Sequence, residues 1–139
     1  MEFETRRMKF VTGDQRNATG TIKLYPECAA DDACVFIALS VADQIYTEKA
    51  ENFFEALQKI RIKLENDQIQ IMCNGAAENV YPSPMQRSMG YGDMAYRLTL
   101  GKPAKLEDAI EIFDCDNGLT CTTVRKQYAF YVKWLESLK

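Results

Sequence analysis

The chain carries five cysteines and no histidine, and this imbalance limits the chemistry that it can perform. Without an imidazole, Ser-His-Asp and Cys-His hydrolases are excluded in their usual forms, as are metal sites built on histidine. Cys73 is the first candidate nucleophile, because it ends a predicted strand just before Asn74-Gly75, whose amides would form an oxyanion site. No histidine is present to activate its thiol, whose ordinary pKa is near ~8.5. We therefore expect Cys73 to be a small buried residue instead.

The other cysteines form two pairs with Cys-x5-Cys spacing, Cys28/Cys34 and Cys115/Cys121. Ligands of structural zinc sites are usually about two to four residues apart, so this spacing is off pattern, with a four-thiolate site as the open alternative. The opening residues contain no apolar run of signal-peptide length, and no stretch approaches the ~20 apolar residues of a membrane span. We therefore expect a cytoplasmic protein whose five cysteines are all thiols, because the cytosol is reducing.

Acidic side chains are the candidate binding residues. The net charge is −3 and the sequence pI is about 5.1, which argues against a general nucleic-acid binder. The acidic residues cluster at Asp31-Asp32 and in the run Glu107, Asp108, Glu111, Asp114 and Asp116. Such clusters would steer a basic partner, although they are more often plain solvated surface. Asp114, Asp116 and Gly118 resemble part of a calcium loop, but the glycine comes one position too early and the distal glutamate is missing. We expect no metal and no cofactor. The candidate partner contacts are Asp31, Asp32, Asp114 and Asp116.

The segment from Cys73 to Ala104 is rich in glycine and proline, so its backbone is closely specified. We expect Gly90 or Gly92 to adopt a positive φ, and Ser83 to cap a short helical turn that begins at Pro84. This segment also offers an alternative function as a small enzyme or ligand-binding domain that uses the loop at 74–93. Its candidate side chains are Arg87, Tyr91, Asp93 and Tyr96.

Hydrophobic periodicity predicts the elements that position these residues. Alternating apolar residues predict strands at 19–25, 33–46, 68–73, 94–100 and 109–113. Apolar residues at helical spacing predict one helix over 48–66, capped by Thr47, and another over 123–138. The apolar stripe of the first helix is Phe53, Leu57, Ile60 and Leu64, with Phe54 beside it. The apolar stripe of the second helix is Val124, Tyr128, Tyr131, Leu135 and Leu138.

This order of elements predicts an α+β fold: a single, mostly antiparallel sheet of about five strands, with two main helices packed on one face. A length of 139 residues suits one domain spanning 1–139. The apolar fraction of 47% is typical of a globular protein, and it excludes a disordered chain. A homo-oligomeric structural subunit is a further alternative.

The sequence from Cys73 to Ala104, followed by EIFD at 111–114 and QYAFYVKWL at 127–135, resembles a family of small bacterial proteins. They are immunity proteins encoded beside polymorphic or contact-dependent toxins, and the resemblance covers about residues 68–138. It implies no catalytic residue. It implies that the protein binds a cognate toxin in the cytoplasm and blocks it in a stoichiometric complex. Such toxins are often basic nucleases, so the resemblance implies a protein partner and no direct contact with nucleic acid or membrane.

Overall fold

The computed structural model describes residues 3–27, 34–88 and 91–139 of the chain. The strands are β1 (Glu4–Thr12), β2 (Asn17–Tyr25), β3 (Val35–Val41), β4 (Gln44–Ala50), β5 (Ile69–Met72), β6 (Val80–Tyr81), β7 (Met94–Arg97) and β8 (Ala109–Glu111). The helices are α1 (Phe53–Asn66), α2 (Pro84–Ser88) and α3 (Val124–Ser137), with 3₁₀ turns at Asn74–Ala76 and Leu106–Asp108. Antiparallel strands and helices therefore combine in one chain, which confirms the predicted α+β class. Within these ranges, no helix is long and apolar enough to cross a membrane.

The larger sheet has five antiparallel strands in the order β4-β3-β2-β1-β5. The number of strands in this sheet agrees with the prediction, but the segments that form them differ from the predicted ones. β1 is a full strand of nine residues, and the predicted set of five strands did not include it. The predicted strand at 33–46 is two strands, joined by a tight turn at Ala42 and Asp43, whose φ angles are 53° and 61°. Alanine is uncommon at positive φ, so the sequence contained no ordinary hairpin signal at this point.

The segments predicted at 94–100 and 109–113 do not join this sheet. Their central residues form β7 and β8 of a second sheet, which has the order β6-β7-β8. The glycines and prolines around them shorten these strands to between two and four residues, and the 3₁₀ turn after β5 redirects the chain. Buried residues from both sheets nevertheless belong to one hydrophobic core cluster, in which Ala95 and Ile112 are fully buried.

α1 packs against β3, β4 and β5 through the predicted stripe, whose members are all at least 95% buried. It begins later than predicted, because residues 44–50 pair with β3 and Thr47 therefore lies inside β4. The N-cap is Asn52, whose side chain accepts a hydrogen bond from the amide of Glu55 at 2.9 Å. The first two helical amides, those of Phe53 and Phe54, donate to the carbonyls of residues 91 and 92, at 2.8 and 3.1 Å. The glycine-rich segment thus completes the cap of α1.

The buried face of α3 is shifted from the predicted stripe and shares with it Tyr131, which packs against the core. Gln127 and Trp134 are its buried residues, whereas Tyr128, Leu135 and Leu138 of the predicted stripe are between 39% and 54% exposed. The indole of Trp134 donates to the carbonyl of Lys102 at 2.9 Å, which a buried indole N–H requires. The helix is therefore oriented by polar anchors, which apolar periodicity does not reveal.

A buried guanidinium lies between α1 and α3. Arg61 is only 2% exposed, and it donates to the side-chain oxygen of Gln127 at 2.5 Å and to the carbonyls of Gly75 and Thr122 at 3.2 and 2.7 Å. Among the described residues no carboxylate accepts a hydrogen bond from it, and its Nε has no partner. Burial therefore lowers the pKa of Arg61. Peptide and amide oxygens accept the hydrogen bonds of the guanidinium, and the charge of Glu65 also favours its charged form.

The amide nitrogen of Gln127 completes this network. It donates to the carbonyls of Gly75, Ala77 and Val80, at 2.8, 2.9 and 2.8 Å. One buried side chain thus satisfies acceptors along the irregular segment that follows β5, where no regular ladder is available for these carbonyls.

The edge strand β4 is covered by two lysines of α1. Lys59 Nζ donates to the carbonyl of Lys49 at 2.9 Å, and Lys63 Nζ donates to the carbonyl of Thr47 at 3.2 Å. Lys63 also forms an ion pair with Glu48 at 2.6 Å. The backbone carbonyls at this edge therefore already have donors.

Replacing Gln127 by leucine removes an acceptor from Arg61 and a donor from the carbonyls of the irregular segment. We expect the free energy of unfolding to fall by about 3–5 kcal/mol, because each buried polar group that loses its hydrogen-bond partner costs about 1–3 kcal/mol. Urea denaturation measures it. Lys126→Leu, on the exposed side of the same helix, is the control and should change stability by less than about 0.5 kcal/mol. Adding Arg61→Met to Gln127→Leu should recover part of the loss, and a purely additive double variant would contradict the coupling.

Gly92 has a φ of +70°, as predicted for one of the two glycines, whereas Gly90 lies outside the described residues. A Cβ at Gly92 would lie 2.4 Å from the Cβ of Asn52. Gly118 also has a positive φ, of +84°, but a Cβ there would meet nothing within 4 Å. We expect Gly118→Ala to lower stability by about 1 kcal/mol through backbone conformation alone. Gly92→Ala should cost about 1–3 kcal/mol more because of the clash. Equal thermal midpoints for the two variants would refute this difference.

Candidate functional site

A cleft with a volume of about 420 Å³ opens beside the start of β1 and the end of β2. Its charged lining residues are Glu4, Arg6, Asp93 and Glu111. Its apolar and aromatic lining residues are Phe3, Leu24, Pro26, Phe53, Tyr91 and Phe113. Carboxylates outnumber the single cation among these residues, and we refer to the cavity as the acidic cleft. Its volume lies within the range of about 300–1,000 Å³ that is typical of ligand sites.

Arg6 is the only cation among the described residues that line the cleft, and the chain's own carboxylates already bind it. Its Nη1 lies 2.6 Å from a carboxylate oxygen of Asp114, its Nε 3.2 Å from Glu4, and its Nη2 3.6 Å from Glu111. Burial opposes the charged guanidinium, but hydrogen bonds to Glu4 and Asp114 outweigh it and raise the pKa of Arg6. Arg6 therefore holds three carboxylates together and has little charge left to attract an anion.

Glu111 and Asp114 are close enough for their carboxyl groups to affect each other. A hydrogen bond with Asp114, followed by charge repulsion from it, raises the pKa of Glu111, whereas Arg6 acts in the opposite direction. The two acids thus form a negatively charged pair on one side of Arg6.

Asp93 differs from the other acids of the cleft. It is exposed, and its carboxylate has no ion pair and no side-chain hydrogen bond within the ranges that the structure describes. Its backbone is fixed, since its carbonyl accepts the amide of Ile112 at 3.0 Å and the preceding carbonyl of Gly92 accepts the amide of Phe54. The cleft therefore presents one unpaired carboxylate on a backbone that is held in place.

Aromatic rings form the walls. Phe53 is 5% exposed, and its ring centroid lies 5.9 Å from that of Phe113 and 6.4 Å from that of Tyr91. On the opposite side, Phe3 stacks on Tyr25 at 5.2 Å. Tyr91 and Phe3 are 49% and 52% exposed, so ring surface remains accessible at the mouth of the cleft.

Asn74 positions the acidic segment from below. Asn74 is 1% exposed. Its backbone amide donates to the carbonyl of Asp114 at 2.7 Å, and its side-chain nitrogen donates to the carbonyl of Glu111 at 2.9 Å. Its side-chain oxygen accepts the amide of Asp116 at 2.8 Å. Gly75 packs so close to Ile112 that a Cβ added at Gly75 would lie 3.0 Å from the Cβ of Ile112. The residues after Cys73 therefore act as a structural support for the acidic segment.

The predicted partner contacts have different positions. Asp114 forms an ion pair with Arg6, which lines the cleft. Asp116 forms an ion pair with Arg97 at 3.4 Å instead. Asp31 and Asp32 lie outside the described residues. Glu4 was not singled out from the sequence, and Glu111 was named only as one member of the acidic run at 107–116. For Glu111 a signal existed: in EIFD it alternates with the buried Ile112, which places it on the same face as Phe113.

The alternative set in the 74–93 loop does not converge. Tyr91 and Asp93 line the acidic cleft, but Tyr96 does not. Arg87 lies over the ring of Tyr81, 5.1 Å from its centroid, and 3.9 Å from Glu55. Within the described parts of the chain, no cavity found is lined by Arg87, Tyr91, Asp93 and Tyr96 together.

The described cysteines differ in their environments. Cys73 is 1% exposed as expected, and burial raises the pKa of its thiol to about 12. Cys34 is disulfide-bonded, so the prediction that all five cysteines are thiols is wrong. That prediction followed from the assumed compartment and contained no information on which sulfur atoms are close in space. Cys73, Cys115 and Cys121 are free. Over the ranges that the structure describes, no three metal-ligating side chains come together.

Comparisons with known proteins give no family for this chain. No protein-family model matches it, and no curated protein matches it. The function is therefore inferred from the acidic cleft and from the resemblance described above.

We expect Asp114→Asn to lower the pKa of Glu111, because the substitution removes the neighbouring carboxylate that raises it. Carboxyl-carbon NMR during a pH titration measures this. In the native protein Glu111 should titrate above its ordinary value of 4.5. Because the folded pKa is raised, the stabilisation from a protonated Glu111 is present below pH 4.5 and is lost as the pH rises through the folded pKa. Asp116→Asn, which removes the acid paired with Arg97, is the control and should leave Glu111 unchanged. An identical Glu111 titration in the native protein and in Asp114→Asn would refute the interaction.

Proposed function

We propose that this chain is an immunity-type protein that binds a cognate bacterial toxin and blocks it in a stoichiometric complex. The acidic cleft is the observation that carries the proposal. It combines carboxylates in excess of cations with exposed rings of Tyr91 and Phe3, and aromatic residues are enriched at protein interfaces.

Charge complementarity is the physical basis of capture. The net charge is −3, and Glu4, Asp93 and Glu111 all face the cleft. A basic surface, such as that of a nuclease that binds nucleic acid, would be steered towards these acids, with faster association at low salt. The same acids would repel nucleic acid itself, so the proposed partner is a protein.

The environments of Cys73 and Arg6 support binding without turnover. Cys73, the first candidate nucleophile, is buried with a raised pKa, and an inaccessible thiol does not attack a substrate. Arg6 is engaged by the carboxylates of the chain. The acidic cleft thus offers groups for recognition, and a bound partner would be inhibited by coverage of its surface.

The cytoplasm is the proposed compartment, since a toxin that acts there is blocked there. A disulfide such as the one at Cys34 is seldom retained in a reducing cytosol. The acidic cleft contains no cysteine, so capture through it is proposed to work in either redox state.

The test is a titration of the toxin domain encoded beside the gene, first identified by co-purification from the native host. We expect inhibition to be complete near one equivalent and association to slow with added salt. Inhibition by trace amounts that grows with incubation time would indicate an enzyme and overturn the proposal. Absence of inhibition at several equivalents would overturn it too.

Two matched variants locate the effect. Glu4→Gln removes a carboxylate of the acidic cleft, and Glu136→Gln removes one on α3 that pairs only with Lys139 at the chain end. We expect Glu4→Gln to slow association several-fold, roughly the effect of one rim charge, and Glu136→Gln to leave the rate near that of the native protein. Equal rates for all three proteins would mean that the partner binds elsewhere.

A further inference from the structure

The acidic cleft contains one carboxylate that the chain leaves free. Glu4, Glu111 and Asp114 share the guanidinium of Arg6, whereas Asp93 has no cationic partner among the residues that the structure describes. Its backbone is held by hydrogen bonds from Ile112 to its carbonyl and from Phe54 to that of Gly92. Because this backbone is already fixed, only the short side chain of Asp93 loses freedom when a cation binds to its carboxylate.

The cleft excludes anions and favours organic cations. Its one cation is neutralised by Glu4 and Asp114 at 3.2 and 2.6 Å, so an incoming anion would meet an excess of negative charge. A cation would meet Asp93, with Glu111 on the same lining. The ring of Tyr91, 49% exposed and packed beside Phe53, adds a π surface to this charge.

We infer that the acidic cleft is the receptor for an arginine side chain of the partner protein, with Asp93 as its ion-pair acceptor and Tyr91 as its stacking surface. The inference rests on the proposed function and specifies which group of the partner is recognised. A planar guanidinium donates two parallel hydrogen bonds to a carboxylate and also stacks on an aromatic ring, which an ammonium group does less well. Arg6 provides a precedent within the same cleft, since its guanidinium is bound by the carboxylates of Glu4 and Asp114.

A protein side chain fits this site better than a small free cation. The cleft is open, and Tyr91 and Phe3 expose about half of their surface at its mouth, where they would contact the partner's backbone and neighbouring residues. Exposed aromatic residues around a charged pocket are typical of interfaces anchored by arginine. A small cation would leave these rings in water.

The experiment is an NMR titration of the whole chain with three probes: the blocked peptide Gly-Arg-Gly, the same peptide with citrulline in place of arginine, and tetramethylammonium. We expect saturable shifts of the Tyr91 and Asp93 amides with the arginine peptide. Citrulline, which has the same shape without the charge, should bind about tenfold more weakly or not at all. Equal binding of both peptides, or no saturable shift with either, would overturn the inference. Tighter binding of tetramethylammonium than of the arginine peptide would overturn the choice of a protein side chain.

Variants assign the contact. Asp93→Asn should weaken binding of the arginine peptide by about tenfold, and Tyr91→Leu by about threefold or more. Asp116→Asn, an acid outside the cleft lining, is the control and should not change the affinity. An unaltered amide spectrum away from the cleft confirms that each variant is folded. Unchanged affinity in folded Asp93→Asn would refute the assigned acceptor.

Failure of this inference is distinguishable from failure of the proposed function. A toxin inhibited near one equivalent by both native protein and Asp93→Asn, with no arginine peptide bound, would retain the function and refute the receptor site. Binding of the arginine peptide to the acidic cleft, without inhibition of the toxin, would retain the site and refute the function.

Discussion

The buried contact between Arg61 and Gln127 is the constraint on which the second half of the molecule depends. It connects α1 to α3, and both side chains donate to the carbonyl of Gly75. The neighbouring Asn74 holds the backbone of Glu111 and Asp116. The acidic cleft is thus supported by a polar network that lies below it. Because a buried charge is costly unless each of its hydrogen-bond acceptors is in place, the irregular segment after β5 has little freedom to rearrange.

The sequence predicted those parts of the fold in which local pattern and tertiary packing agree. The stripe of α1 from Phe53 to Leu64 is buried as its spacing indicated, and Ser83 caps α2, accepting from the amide of Gln86 at 3.0 Å. The apolar pattern was misleading where polar side chains determine the orientation of a helix. α3 is oriented by Gln127 and Trp134, and neither belongs to its apolar stripe. Hydropathy treats a buried glutamine as a surface residue, so no count of apolar residues would have found this face.

The candidate site was predictable only in its charge. The sequence indicated an acidic surface and named Asp114, which does contact Arg6 across 108 positions of the chain. It could not show that Arg6 gathers three carboxylates, because that contact depends on β1 lying close to the residues after β8. Asp93 was considered only as part of a different set. Asp93 matters because it has no cationic partner among the described residues. Which carboxylates are paired depends on the folded structure, so the sequence could not show this.

The lysines of α1 that donate to the carbonyls of β4 have a consequence for self-association. An open sheet edge is a template for a strand of another molecule, and β4 carries the exposed Ile45, which would favour such a contact. With Lys59 and Lys63 bound to its carbonyls, a second strand would have to displace two ammonium groups before pairing. We therefore expect these two ammonium groups to make the edge resist fibril-like growth at high concentration. Any modification that neutralises these two amines would make the same edge available for intermolecular pairing.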